Sequence, residues 1–231
     1  MRLLAEMCVL VAVVLSCLLP LSSASEGLFR KALIFPVENA RSYVTLTPQK
    51  PLQMSAFTLC MRLSTELPVG REVILFAYRT ADNDELNVWR EKDGQFSFYL
   101  AGDGLMFKLP QLSALGTHMC VTWDSQSGLS AFWVDGKRSA RQVYRKGHTI
   151  RSEGTILLGQ DPDKLLGDFD VTQSFVGEIS DVNLWDYVLP ASDIQALYTR
   201  HQAPTGNVLD WNTIQYQTNG IVLVKPVDEG K

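Results

Sequence analysis

Alternation of apolar and polar side chains is the dominant pattern along this chain. Between residues 57 and 64, Phe57, Leu59 and Met61 alternate with polar or small side chains, and residues 118–123 repeat the pattern. A period of two is typical of strands that bury one face. Similar segments span residues 73–78, 86–89, 95–100, 129–134, 155–158, 176–184, 208–211 and 221–224. Many short strands separated by Gly and Pro predict an all-β protein with two packed sheets.

Two local signals add a turn and a helix to this pattern. The dipeptide Asp135-Gly136 lies between two strand-like runs and predicts a tight hairpin. Pro190 marks the start of one short helix near 191–200, on which Ile194, Leu197 and Tyr198 share a face. No linker-like segment divides the chain, so residues 25–231 are expected to form one domain.

The first residues have the pattern of a secretory signal. A basic start is followed by an apolar run over 8–19, then by Pro20 and the small residues before Ser25. This order predicts a signal peptide over 1–24 and a secreted, extracellular protein. A membrane anchor is the alternative, but the run is short for a span, and no later segment has 18 continuous apolar residues. We therefore expect no membrane insertion.

Net charge argues against nucleic acid as a main partner. The chain carries a formal charge of −4 at pH 7, and no stripe of Lys and Arg stands out. The most basic segment, 137–146, follows the predicted hairpin. It is interpreted as a solvated strand edge.

Two cysteines remain once the signal peptide is removed. Cys60 and Cys120 lie on the less apolar faces of their strands, which suits a bridge between strands. In an oxidising compartment they are expected to pair, closing a loop worth roughly 4 kcal/mol in the chain-entropy model. Zinc is not expected, because neither cysteine has a second cysteine nearby.

Two polar loops are rich in carboxylates. One spans 81–85, and the other runs from Gln160 through Asp170 to Gln173. Calcium takes six to eight oxygen ligands from such side chains and from backbone carbonyls. An EF-hand is excluded, because Leu166 stands where Gly is required and Thr172 where the closing Glu is required. The spacing alone leaves calcium and a solvated acidic loop as equal alternatives.

Several motifs together resemble a known family. They are His118–Ser125 around the second cysteine, Phe132–Lys137, Leu158–Gln160, Gln173–Glu178, Asn183–Asp186 and Leu209–Trp211. In this order they cover essentially the whole mature chain and are similar to the short pentraxins.

The resemblance implies a lectin-like jelly-roll sandwich, two Ca²⁺ ions per subunit and a homo-oligomer, a ring of five. Asp161 falls where the family commonly has Glu, and Pro162 falls where the family supplies a backbone carbonyl. The calcium ligands carried over by position are Asp82, Asn83, Asp161, Pro162, Asp163, Asp170 and Gln173.

The same resemblance implies ligand recognition rather than catalysis. Leu86, Val88 and Tyr99 are expected to line a pocket beside the calcium, with ordinary strand packing as the alternative. The implied function is calcium-dependent pattern recognition in acute-phase innate immunity. The expected ligands bear phosphate or carbohydrate, and complement components are further expected partners.

Two other functions stay open from the residues alone. One is a structural or transport sandwich with a degenerate calcium site. The other is a glycosidase, for which Glu178 and Asp181 are candidate acids. Their odd spacing would place them on opposite faces of a regular strand, which argues against that pairing.

Overall fold

The computed structural model describes residues 27–227, and these form two antiparallel sheets packed face to face. The predicted signal peptide over 1–24 lies outside the described residues. Sheet A has the order β10-β9-β8-β3-β15-β1-β17, with β11 also paired to β9. Its strands are β1 (Lys31–Phe35), β3 (Ala56–Ser64), β8 (Thr117–Asp124), β9 (Leu129–Val134), β10 (Lys137–Arg138), β11 (Gln142–Val143), β15 (Gly177–Trp185) and β17 (Leu223–Pro226).

Sheet B has the order β16-β2-β12-β4-β5-β6-β7. Its strands are β2 (Tyr43–Thr47), β4 (Val73–Arg79), β5 (Asp84–Arg90), β6 (Phe96–Leu100), β7 (Asp103–Phe107), β12 (Thr155–Leu158) and β16 (Gln215–Asn219). A separate hairpin of β13 (Pro162–Lys164) and β14 (Gly167–Phe169) follows β12. This arrangement confirms the predicted two-sheet jelly-roll sandwich.

The core between the sheets is built from the alternating apolar residues. Phe57, Leu59 and Met61 of β3 are fully buried and face the interior, as their period of two predicts. Phe98 of sheet B meets Phe57 and Phe132 of sheet A in edge-to-face contacts across the core. The aromatic contacts therefore join the two sheets directly.

The predicted disulfide is present on the outer face of sheet A. Cys60 of β3 lies directly opposite Cys120 of β8, with an S–S distance of 2.08 Å. Both sulphurs are buried in a small cluster with Trp133, Trp185 and Ile194. The prediction that the two cysteines pair is confirmed.

A single α-helix, α1 (Ala191–Thr199), packs on this outer face within the described residues. Pro190 precedes its first turn, and Arg200 ends it with a left-handed φ of 58°. Ile194 is buried in the disulfide cluster and Leu197 is half-buried, whereas Tyr198 lies at the margin of the predicted apolar face, with 37% of its surface exposed. The helix is thus held to sheet A by its apolar face. Among the described residues, neither this helix nor any other segment qualifies as a membrane-spanning helix.

The hairpin predicted at Asp135-Gly136 connects β9 to β10. Asp135 has a φ of 48° and Gly136 a φ of 75°, the conformation of a type I′ turn. A Cβ atom on Gly136 would lie 2.3 Å from Oε1 of Gln195 on α1. Glycine therefore fits both the turn and the close approach of the helix.

One predicted strand is wrong. Residues 208–211 do not form a strand, although Leu209 makes an isolated bridge with Leu184 of β15. The chain turns at Asp210, whose carboxylate accepts hydrogen bonds from Asn212 N and Thr213 Oγ1. Local bonding by the aspartate side chain therefore competes with strand formation.

Candidate metal centre

The outer face of sheet B carries a patch of aromatic and polar side chains. Asn87 of β5 lies between Ala77 of β4 and Tyr99 of β6 in the strand register. Trp89, two residues further along β5, faces the same side. The apolar members of this outer patch are Ile74, Ala77, Trp89 and Leu157, with half-buried Tyr43, Tyr99 and Phe169 packed against them.

The structure corrects the expected position of Leu86 and Val88. Both side chains have no exposed surface and belong to the core between the sheets. The opposite face of the same strand carries Asn87 and Trp89, because alternate residues of a strand point to opposite sides. Of the predicted pocket residues, only Tyr99 lies on the outer face of sheet B, where it is half-buried.

Asp161 is the most unusual carboxylate of the described residues. It is 5% exposed, and its Oδ1 accepts a hydrogen bond of 2.8 Å from Asn87 Nδ2. Burial, followed by the charges of Asp84 and Asp163, raises the pKa of Asp161 to about 7, against the opposing effect of Arg79. Three carboxylates therefore share one region, where a bound cation would stabilise their ionised forms.

The two aspartates of the early acidic loop have different partners. Asp82 Oδ2 lies 3.3 Å from Arg151 Nη1, and its side chain is 74% exposed. Asp84 instead pairs with Arg79 at 2.5 Å, in the strand register of β4 and β5. The family resemblance assigns Asp82 and not Asp84 to the calcium site. In the structure each aspartate pairs with its own arginine, and the charge of Asp84 raises the pKa of Asp161.

The late acidic loop supplies the other candidate ligands. Pro162 and Asp163 begin the β13–β14 hairpin, and Asp170 precedes the 3₁₀ helix Val171–Gln173. The Thr172 amide and hydroxyl donate to Asp170 Oδ1 and hold the pKa of that carboxyl below its usual range. Asp170 is thereby fixed in its ionised form.

Gln173 has an acceptor that the protein leaves unsatisfied. Its Nε2 donates to Glu72 Oε1 at 3.3 Å, while its Oε1 is buried without a hydrogen-bond partner. A buried carbonyl oxygen without a donor is costly, and a hard cation would satisfy it. A buried amide oxygen and ionised carboxylates are ligand types that calcium prefers.

The candidate glycosidase pair does not have the expected regular geometry. A β-bulge interrupts the pairing of β15 with β3 between Ser180 and Asn183, and Asp181 has a φ of 53°. The simple alternation argument therefore does not apply to Glu178 and Asp181. Asp181 is instead engaged by two guanidinium groups, with Arg62 Nε at 3.1 Å and Arg200 Nη2 at 3.3 Å.

Comparison with known proteins decides the family. The Pentaxin family model matches residues 31–226, which is nearly all of the described chain. The chain belongs to the pentraxin family. It is 57% identical to a C-reactive protein of Danio rerio over 92% of this chain and 97% of that protein. It is 38% identical to C-reactive protein of Homo sapiens, again over 92% and 97% of the two chains.

A solved structure gives the same fold. The native heptameric SAP-like pentraxin from Limulus polyphemus superposes with a TM-score of 0.73 over 86% of this chain and 96% of its own, at 21% identity. Pentraxins are calcium-binding, non-enzymatic recognition proteins that form homo-oligomers. Family membership thus confirms the prediction that this chain is not an enzyme.

Sequence reasoning did not single out Asn87 and Trp89, which lie on the outer face of sheet B. Asn87 carried the clearest signal, because a polar amide in the middle of an apolar strand requires a partner. That partner is Asp161, which lies 74 residues away in the sequence.

Proposed function

We propose that this pentraxin is a secreted recognition protein that binds phosphate- or carbohydrate-bearing ligands through calcium on the outer face of sheet B. The observation that carries the proposal is the buried Asp161 carboxylate, which shares its surroundings with Asp84 and Asp163. The unsatisfied Oε1 of Gln173 supports it, because both features favour a hard cation.

The proposed ligand set holds two ions per subunit. It comprises carboxylates from both acidic loops, the Asn83 and Gln173 amide oxygens and the backbone carbonyl of Pro162. Asp161 is one methylene shorter than the Glu that the family commonly has, which would weaken or shift its contact with the ion. Calcium bound at such a site keeps positions open for an anionic oxygen of a ligand.

Side chains of the outer patch beside this site would distinguish one ligand from another. Half-buried Tyr99 packs against buried Trp89 beside Asn87, and the Tyr99 hydroxyl donates to Glu91 Oε1 at 3.2 Å. Burial, followed by the charge of Glu91, raises the pKa of Tyr99 to about 12. The phenol therefore stays protonated and available to organise polar groups of a bound phosphate ester or sugar.

Helix α1 and the hairpin at Asp135 lie on the opposite sheet, away from the proposed ligand surface. His118 N donates to Asp135 Oδ1 at 2.9 Å, and the ring of Tyr198 lies 6.0 Å from the ring of His118. We assign this side of the molecule to effector partners such as complement components, which would approach while ligand is bound. A ring of five subunits would add avidity for arrayed ligands.

The direct test is binding to immobilised phosphocholine, phosphoethanolamine and agarose, with calcium and then with a chelator. Calcium is expected to retain the protein on the matrix and to raise its melting temperature. At a free calcium concentration of 100 times the Kd, the free energy of unfolding is expected to increase by about 2.7 kcal/mol. Asp163→Asn is expected to lose both effects.

Asp168→Asn is the matched control. Asp168 lies on the same hairpin, but it is exposed and pairs with Lys164 at 2.8 Å, so this variant should bind as the wild type does. Retention that ignores the chelator would contradict the mechanism. If calcium also failed to raise the melting temperature, a structural or transport sandwich would be the better description.

A further inference from the structure

The hairpin that follows β12 ends in two exposed leucines. β13 pairs with β14, so Leu165 and Leu166 form the whole turn between Lys164 and Gly167. Leu165 is 54% exposed and Leu166 is 45% exposed, and neither belongs to an apolar cluster of the described residues. Single leucines are common on protein surfaces, but these two are adjacent and stand at the end of a hairpin. Together they form the leucine tip.

Turn chemistry does not account for the leucine tip. Leu166 has a φ of 58°, in the left-handed region that favours Gly or Asn and is costly for a bulky side chain. A two-residue turn between strands commonly carries Asn-Gly or Asp-Gly, as the Asp135-Gly136 turn does. A Cβ atom on Gly167 would meet nothing within 4 Å, so the space beside the tip is open. The two leucines therefore stabilise neither the turn nor the core.

The base of the hairpin is anchored to the outer patch of sheet B. Phe169 of β14 packs against Tyr43, with ring centroids 5.2 Å apart. Pro162, the partner of Phe169 in the strand register, is buried. Strands of three residues span about 10 Å at roughly 3.3 Å per residue, so the leucine tip stays within about that distance of the Pro162–Phe169 pair.

A charged pair lies directly below the leucine tip. Lys164 Nζ is 2.8 Å from Asp168 Oδ2, and both side chains are mostly exposed. Apolar side chains gain free energy on leaving water, whereas charged groups resist the same transfer. The hairpin is thus apolar at its turn and charged just beneath it. This is the order of polarity that an interface between lipid and water requires.

The same hairpin carries the chemistry that indicates the partner. Asp163, two residues before Leu165, is a ligand of the calcium site proposed above, where the ion would capture the phosphate of a ligand. A sugar or a small phosphate ester has no apolar portion for the leucine tip to meet. A phospholipid has both a phosphate and acyl chains. Peripheral helices bury apolar side chains about 5–10 Å into the boundary between headgroups and acyl chains, which is within the reach of this hairpin.

We propose that the leucine tip enters the surface of a phospholipid bilayer while calcium holds a lipid phosphate beside it. The inference rests on the calcium site proposed above and narrows its ligand to a lipid surface. Such a contact differs from the membrane insertion that the sequence argues against, because only the side chains of one turn enter the lipid and no segment spans it.

The test is calcium-dependent binding of the full-length protein to vesicles of phosphatidylcholine and phosphatidylethanolamine, compared with soluble phosphocholine and phosphoethanolamine. The tip variant is Leu165→Thr/Leu166→Asn. The exposed fractions of the two leucines together amount to about one whole leucine. Transfer of that surface out of water changes a binding constant by at least about tenfold, so the vesicle affinity of the tip variant is expected to fall by at least that factor.

Two further properties of the tip variant are expected to stay as in the wild type. Its affinity for the soluble esters should be unchanged, because they offer no apolar surface to the tip. Its melting temperature should not fall, because Asn adopts the left-handed conformation more readily than Leu does.

Leu115→Thr is the matched control. Leu115 is 98% exposed, but it lies on the loop that precedes β8 of sheet A, so this variant should bind vesicles as the wild type does. A nitrobenzoxadiazole fluorophore attached to Leu165→Cys reports the contact directly. Its emission is expected to shift to the blue when vesicles and calcium are both present, whereas the same label on Leu115→Cys should not shift.

The outcomes separate this inference from the proposed function. If the tip variant binds vesicles as tightly as the wild type, or if the wild type binds the soluble esters with calcium but not the vesicles, the inference is wrong and the calcium site stands. An equal loss for vesicles and soluble esters, or a lowered melting temperature, would make the leucines part of the phosphate site or of the fold. Calcium-dependent self-association without lipid that the tip variant abolishes would assign the tip to a second copy of the chain. If the wild type binds neither vesicles nor esters, the proposed function fails together with the inference.

Discussion

Asp161 is a residue whose protonation depends on the fold. It is buried beside two other carboxylates, and its pKa of about 7 lies well above its ordinary value of 3.8. A carboxyl in this situation takes up a proton on folding and must release it when a cation binds. Calcium affinity should therefore rise with pH, although calcium itself does not titrate.

The same residue gives the calcium-free protein a distinctive pH dependence. Between pH 3.8 and about 7 the folded state binds more protons than the unfolded state, so the free energy of unfolding should fall as pH rises. The slope from Asp161 approaches about 1.4 kcal/mol per pH unit within this window. Urea unfolding at a series of pH values, with chelator present, measures it.

Asp161→Asn should flatten the dependence of unfolding free energy on pH. Asp168 is exposed on the neighbouring hairpin, so Asp168→Asn should leave that dependence unchanged. An equal slope in both variants would assign the titration to another group.

At the scale of elements, the strands could be predicted from sequence better than the faces they bury. Leu86 and Val88 point into the core, but the outward face of β5 also carries the large apolar Trp89. When both faces of a strand are covered, alternation no longer tells inside from outside. The contact between Asp82 and Arg151 was equally inaccessible, because the two residues lie 69 positions apart in the sequence.

The contact between the Asp135-Gly136 turn and α1 can be tested with two glycines of similar conformation. Gly147 has a φ of 84° and open space where a Cβ atom would lie, so Gly147→Ala should cost about 1 kcal/mol from backbone strain alone. Gly136→Ala should cost more, because its Cβ would meet Gln195 at 2.3 Å.

Urea unfolding measures both losses, and the background variant Gln195→Ala should bring them close together. If the difference between the glycines persists in that background, the contact with Gln195 is not its cause.

At the scale of the whole molecule, both edges of sheet A expose apolar side chains. Leu129 and Val143 lie near one edge, on β9 and β11, and Ile221 and Leu223 lie near the other, at β17. These two edges carry different residues, and a contact between unlike surfaces repeats around a closed ring. The arrangement suits the homo-oligomers that pentraxins form.

Assembly through these edges predicts that Val143→Glu and Leu223→Glu each give a monomer in sedimentation equilibrium, whereas the wild type keeps the mass of the homo-oligomer. The introduced carboxylate would be buried at the interface without a partner. Leu115→Glu is the control, because Leu115 is 98% exposed on the loop that precedes β8, an inner strand of sheet A. Wild-type mass in both edge variants would place the interface elsewhere.

The position of the disulfide beneath α1 has a kinetic consequence. Cys60 and Cys120 are almost fully covered, and Ile194 and Leu197 of the helix pack against their cluster. A thiol reductant must reach a sulphur atom directly, so the bond can be attacked only during moments when the helix has lifted from the sheet. The rate of reduction under native conditions is therefore a measure of how often this one element opens.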